Sequence, residues 1–248
     1  MPSIEWQRRW VDELNARFSG KLPYYGAHWG DPDPRMAFPR PIGAILPESW
    51  LAGMLRKDSI RNFLEKRARY EYNESLYHVL TDYLRPHITP DTVLVEIGPG
   101  GGRWTRYMLK AKHLYLVDIN EEFFDYLGKR FAGSAHKFTY HKPDGYDLKC
   151  TGDNEADFVF SFGTFVHVEP EGIQAYLAEI ARVLKPGCKS VVQYADKTKE
   201  KGQERTGFSD MTPEKMEGFI AAQPGLEMLE HNTELLNHSS VMLLQKSG

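Results

Sequence analysis

Val93-Leu-Val-Glu-Ile-Gly-Pro-Gly-Gly-Gly-Arg-Trp-Thr105 is the stretch on which the fold turns. A hydrophobic strand runs straight into glycines and is expected to continue into a helix. That order lets backbone approach a ligand closely and points free N–H groups at an anionic or polar part of it. Gly98, Gly100 and Gly102 have G-x-G-x-G spacing. A dinucleotide fingerprint needs G-x-G-x-x-G, and its last position is occupied here by Arg103, which counts against a nicotinamide or flavin enzyme. Two acids frame the loop. Glu96 stands two residues before Gly98, and Asp118 ends the next hydrophobic run, 18 residues after Gly100. A carboxylate at that strand end can accept hydrogen bonds from both hydroxyls of a ribose.

Outward from this loop, short β-rich runs alternate with helical patterns, which indicates an α/β fold with a largely parallel sheet. The expected strands are Thr92–Ile97, His113–Val117, His136–His141, Phe158–Phe162 and Ser190–Tyr194. Pro170 opens the clearest helix, whose stripe is Ile173, Tyr176, Leu177, Ile180, Ala181 and Leu184. Lys185-Pro186-Gly187 is expected to stop it. Leu226–Glu230 and Val241–Gln245 read as two more strands. About ten residues separate them, too few for a helical crossover, so they should pair antiparallel.

Before position 86 the pattern is different. Helix-like stretches lie near residues 4–18, 48–66 and 74–85, where Leu76, Val79, Leu80, Tyr83 and Leu84 have helical spacing. Between Gly20 and Pro47 fall six of the 15 prolines, together with Tyr24, Tyr25, Trp29 and Phe38. A segment of this kind suits a lid over a site or a dimer arm. The expected organisation is therefore an N-terminal helical and proline-rich lid region, residues 1–85, followed by an α/β domain, residues 86–248.

Composition excludes several classes. The chain has 248 residues, 41% hydrophobic and 26% charged, with a formal net charge of −3. Such usage is that of a globular protein, not a disordered one. No apolar run approaches the roughly 18 residues of a membrane span. The opening MPSIEWQRRW has no secretory h-region, so a cytoplasmic location is expected. Cys150 and Cys188 form no Cys-x-x-Cys pair. The slight negative charge argues against a nucleic-acid coat.

Glu96-Ile-Gly-Pro-Gly-Gly-Gly102, Asp118, Asp144-Gly145, Asp157-Phe-Val-Phe-Ser-Phe-Gly163 and Leu184-Lys-Pro-Gly187 together resemble the class I S-adenosylmethionine-dependent methyltransferases over roughly residues 80–248. Taken alone, Asp118 would be an ordinary helix N-cap and Asp144-Gly145 a turn. The ordered set carries the resemblance. It implies a Rossmann-like, doubly wound sheet of seven strands, mostly parallel with one antiparallel. It also implies S-adenosylmethionine as cofactor. Carried over by position, Gly98, Pro99, Gly100 and Gly102 would cradle the methionine moiety, with Glu96 a further cofactor-binding residue. Asp118 would hold the ribose, with Ile119 near the adenine. Asp144 would face the adenine amino group, with Gly145 after it also cofactor-binding, and Phe162 and Gly163 would line the methionine side.

Methyl transfer from a sulfonium is an in-line displacement, so alignment supplies much of the rate. A hydroxyl acceptor also needs a base. His167, a few residues past the fourth strand, is the candidate; the alternative is an imidazole that only packs beside the cofactor. Trp104 is expected to pack under the helix after the glycines. Tyr25, His28 and Trp29 are candidate lid or substrate contacts. No histidine spacing matches a metal motif, and His136 and His141, five apart on one strand, would point to opposite faces, so no metal is expected. The fourth strand ends in Ser161-Phe-Gly-Thr-Phe165 and lacks the Asn/Asp-Pro-Pro-Tyr/Phe motif of nucleic-acid amino-methyltransferases that resemble this fold. A small organic acceptor methylated on oxygen is the preferred reading, with no nucleic-acid or membrane partner and a homodimer left open. Aminopropyl, N- or C-methyl transfer on the same fold, or a non-catalytic binding member, are the alternatives.

Overall fold

Seven strands form one sheet in the computed structural model, which describes residues 75–248. Their order across the sheet is β3-β2-β1-β4-β5-β7-β6. They are β1 (Val93–Ile97), β2 (His113–Val117), β3 (Phe138–His141), β4 (Ala156–Ser161), β5 (Leu184–Ala195), β6 (Leu226–Asn232) and β7 (Ser239–Lys246). The first five strands pair in parallel, while β7 runs antiparallel to both β5 and β6. The expected topology, including the antiparallel last pair, is the one observed. Among the residues described from β1 onward, the α-helices are α1 (Glu122–Arg130), α2 (Pro170–Val183), α3 (Glu200–Gln203) and α4 (Pro213–Ala222).

Burial explains why the central runs are apolar throughout. β1 and β4 are covered on both faces, as crossovers require. One face carries Val95, Ile97, Val159, Val192 and Tyr194, which share a buried cluster with Ile173, Tyr176, Leu177 and Ile180 of α2 and Met216 and Ile220 of α4. Replacing a fully buried residue such as Ile180 by alanine is expected to cost about 2–5 kcal/mol. On β4, Phe158 and Phe160 point to the opposite face, where His87 stacks on Phe158 and Trp104 meets Phe160 edge-on.

Several expectations need correction. No α-helix follows the glycines. Residues 99–111 instead turn through i→i+3 bonds, with one 3-10 turn at Thr105–Tyr107. Gly98, Gly100 and Gly102 all take positive φ, which an α-helix cannot propagate, and Lys112 is already tied to the Thr92 carbonyl at 2.9 Å. Trp104 therefore packs on the sheet, not under a helix. The Pro170 helix ends at Val183, so Leu184 belongs to β5. Lys185-Pro186-Gly187 loops out of β5 as a bulge between the pairs Ala156↔Leu184 and Phe158↔Lys189, with Gly187 at φ +77°. His136 lies in the 3-10 turn Ala135–Lys137 and not on β3, so the opposite-faces argument fails for it.

Upstream, helical residues from Ser75 continue into the π-helix Val79–Leu84, where Val79, Leu80, Tyr83 and Leu84 are buried. The expected helices near 4–18 and 48–66, the proline-rich segment, and Tyr25, His28 and Trp29 lie outside the described residues. No helix among the described residues is long and apolar enough to cross a membrane.

Candidate functional site

The carboxyl ends of β1 and β2 meet at the glycine loop. Gly98 donates its N–H to the Val117 carbonyl at 2.7 Å, and Gly102 closes a turn onto the Pro99 carbonyl at 2.9 Å. Gly98 has φ +76°, and a Cβ there would stand 1.8 Å from the Thr164 hydroxyl. Gly102 has φ +80°, and a Cβ there would meet Phe131 at 2.5 Å. Both positions require glycine for the protein's own packing as well as for backbone conformation.

Asp118 joins this loop directly. One carboxylate oxygen accepts the Gly100 N–H at 3.1 Å and the other accepts the Asn120 N–H at 2.9 Å. An ionised carboxylate offers about four acceptor sites, so the partly exposed Asp118 keeps acceptor capacity beyond its backbone bonds. Burial pushes its carboxyl up to about 6, although the N–H groups of Asn120, Gly100 and Ile119 favour the charge. Glu96 is 2% exposed and accepts the Thr105 hydroxyl at 2.6 Å. Burial pushes it up to about 8; the Thr105 bond opposes that shift and the neighbouring Asp118 adds to it. At neutral pH, then, Glu96 is mostly protonated and Asp118 mostly ionised.

Asp144 and Gly145 lie on the connection between β3 and β4. Asp144 is exposed, and its N–H donates to Asp147 at 3.1 Å. Asp147, which the sequence reading passed over, also pairs with His141 at 2.7 Å. Arg182 of α2 holds the following segment by donating to the Leu148 and Thr151 carbonyls and to Asp153. Ile119 is partly buried behind Asp118.

The turn after β4 forms the other wall. Phe162 is buried, with its ring 4.8 Å from that of Trp104. Gly163 follows at φ +84°, and its N–H donates to Gln193 Oε1 at 2.6 Å. Thr164 Oγ1 donates to the Ile97 carbonyl at 3.2 Å and so ties this turn to the glycine loop. His167 lies three residues on. Its Nδ1–H donates to the Gly207 carbonyl at 2.8 Å, and Ser209 N–H bonds the Val166 carbonyl at 2.8 Å. Phe208, between those two residues, meets His167 and His238 edge-on at 5.3 and 5.5 Å. Burial pushes both imidazoles down to about 4, so both are neutral at physiological pH; Arg205 adds to each shift, and Lys199 and Lys201 add to that of His238.

Sequence reasoning missed Gln193, Asp196 and His238. Asp196, just past β5, is wholly buried and accepts hydrogen bonds from Thr198 and Ser240. Burial alone would raise its pKa, but those bonds bring it below the ordinary carboxylate range. Only a polar residue ending an apolar strand run marked Gln193 or Asp196 in the sequence. Among the described residues, no group of three or more His, Cys, Asp or Glu could hold a metal ion.

Residues 94–187 match the family model described as a methyltransferase domain. Among solved structures, the fold is similar to a magnesium protoporphyrin IX methyltransferase from Synechocystis PCC 6803 with bound S-adenosylhomocysteine, at TM-score 0.57 and 15% identity over 75% of this chain and 88% of that one. A SAM-dependent methyltransferase from Aquifex aeolicus matches at TM-score 0.52 and 19% identity, covering 77% and 99% of the two chains. The cyclase SpnF matches at TM-score 0.55 and 16% identity, covering 68% and 80%. Over residues 94–187, then, the chain carries a methyltransferase domain, and its fold is shared with these methyltransferases.

Proposed function

We propose that this protein transfers the methyl group of S-adenosylmethionine to a small organic acceptor, on oxygen. The observation that carries the donor site is the bond from Gly100 to Asp118. It joins the glycine loop to a partly exposed carboxylate with acceptor sites to spare, which fits a ribose. Glu96, Gly98, Pro99, Gly100 and Gly102 hold the methionine end in this reading. Ile119, Asp144 and Gly145 border the base, and Phe162 and Gly163 line the methionine side. When bound, the donor supplies an electrophilic methyl on a sulfonium.

The remaining work falls to the chain. The turn after β4 aligns the acceptor behind the methyl. His167 is the proposed proton acceptor. Donation from Nδ1 to Gly207 places the ring's lone pair on Nε2. With its pKa near 4 the imidazole is a weak base. A weak base still serves, because a hydroxyl becomes strongly acidic as its oxygen bonds to carbon. The absence of a nucleic-acid motif after β4 and the mild net charge favour a small acceptor over a polymer.

Calorimetric titration with S-adenosylhomocysteine, followed by a screen of phenols and aliphatic alcohols with product analysis, tests the reading. Expected are saturable binding and an O-methyl product. Absence of binding rejects the donor site, whereas binding with an N-methyl or aminopropyl product rejects the acceptor chemistry. His167→Ala should lower kcat by about 10²–10⁴-fold while S-adenosylhomocysteine affinity stays near wild type. At saturating S-adenosylmethionine, wild-type kcat should show no inflection from His167 between pH 5.5 and 8, because the ring titrates below that window. Unchanged kcat in His167→Ala would remove the residue from the reaction.

A further inference from the structure

We propose that Gln193 is a positioning residue of the methyl-donor site, setting the Gly163 peptide from the strand beside it. The inference rests on the reading that Gly163 lines the donor. Gly163 is exposed, sits at φ +84°, and has nothing within 4 Å of where a Cβ would stand. The space beside its Cα is thus open, and its peptide is tied by a hydrogen bond: Gly163 N–H donates to Gln193 Oε1 at 2.6 Å.

Gln193 is well built for this task. It is 2% exposed near the end of β5, and its other amide atom, Nε2, donates to Ser239 Oγ at 2.6 Å. Because the Gly163 N–H can only donate, the amide orientation is forced, with Oε1 toward Gly163. Ser239 is itself held. It faces Ala195 across the β5–β7 ladder, and its carbonyl accepts Lys199 Nζ at 2.8 Å, which also bonds the Leu236 carbonyl at 2.7 Å.

On the other flank, Thr164 ties the same turn to the glycine loop through the Ile97 carbonyl. Its side chain also fills the space over Gly98. The turn is thus clamped between β1 and β5. Thr164 fixes where it lies, and Gln193 fixes which way the Gly163 peptide faces. Misplacement of about 1 Å in a reacting pair can cost roughly 100-fold in rate, so a buried amide fixing one peptide plane has a direct route to catalysis.

The experiment compares Gln193→Leu, which removes both bonds at similar volume, with Gln193→Glu, which keeps an acceptor for Gly163 while Ser239 turns its hydroxyl to donate. The readouts are S-adenosylhomocysteine Kd by calorimetry, Tm, and kcat. Gln193→Leu should bind S-adenosylhomocysteine about tenfold more weakly and Gln193→Glu within about threefold of wild type. A purely structural role would lower Tm in Gln193→Leu and leave Kd untouched; that result overturns the proposal, as does equal weakening in both variants. Should Gln193→Leu fail to fold, Ser239→Ala removes only the far tether of the amide. It should weaken binding about threefold, and an unchanged Kd there overturns the proposal. Wild-type protein that binds no S-adenosylhomocysteine defeats the donor reading and this proposal together. Binding by wild type and Gln193→Leu alike defeats this proposal alone.

Discussion

The two walls of the site obey one electrostatic rule with opposite consequences. On the β1–β2 side the ionisable groups are acids, and burial lifts Glu96 to about 8 and Asp118 to about 6. On the β4–β5–β7 side the histidines face the same loss of water, which lowers His167 and His238 to about 4. Burial disfavours whichever form carries charge, so acids keep protons and imidazoles lose them. Between about pH 6 and 8 the consequence is an ionised Asp118 beside a protonated Glu96 on one wall, and neutral imidazoles on the other.

The largest effect that would test the comparison is steric. Gly98 and Gly163 share a left-handed backbone, but only Gly98 lies against another side chain. Gly98→Ala should destabilise the fold by about 3 kcal/mol or more, from the clash with Thr164 plus the conformational cost, as read by urea unfolding. A stable Gly98→Ala protein would mean that the clamp between the two walls gives way easily.

Asp118→Ala is expected to weaken S-adenosylhomocysteine binding by about 2 kcal/mol, roughly 30-fold, because two hydroxyls lose a charged acceptor. Calorimetry on the folded variant settles it, and wild-type affinity would move the ribose elsewhere.

The pH effects are smaller and differ in sign between the walls. Glu96 binds its proton more tightly folded than unfolded, so its contribution is fully present below about pH 4.5 and is lost as pH rises through about 8. The histidines bind protons more weakly when folded, so their contribution is present above about 6.5 and lost as pH falls toward 4. Glu96→Gln should flatten the alkaline limb of a stability–pH curve and leave the acid limb in place. A curve unchanged above pH 7 would show that Glu96 is ionised in the native protein. Cofactor affinity in wild type should fall below about pH 6 as Asp118 protonates. The smallest effect is Gly163→Ala, about 1 kcal/mol of backbone strain with no clash. A loss as large as that of Gly98→Ala would erase the distinction between the walls.

The same two walls differ in how readable they were. The β1–β2 side is written in contiguous residues: an apolar strand, glycines at fixed spacing, and an acid closing the next strand. Each of these is a local signal, and each lands where the spacing places it. The β4–β5–β7 side joins Gly163 to Gln193 and Ser239, and His167 to Gly207. Those pairs are 30, 46 and 40 residues apart in turn, counting Gln193 with Ser239 as the second. Nothing in the local pattern announces them.

Sequence by itself determined the strand set, the antiparallel last pair, the glycine loop and Asp118, because periodicity, turn chemistry and short-range spacing are properties of neighbours along the chain. Only the tertiary structure decided the rest. Three left-handed glycines and a short connection to β2 stopped a helix from forming after the loop, and the Lys185-Pro186-Gly187 segment became a bulge in β5. Burial, which depends on what the whole fold brings to a residue, set the charge on Glu96, Asp118 and His167. The partners of Gly163 followed from sheet order, which places β5 beside β4 and β7 beside β5 and so brings a distant glutamine within 2.6 Å of its N–H.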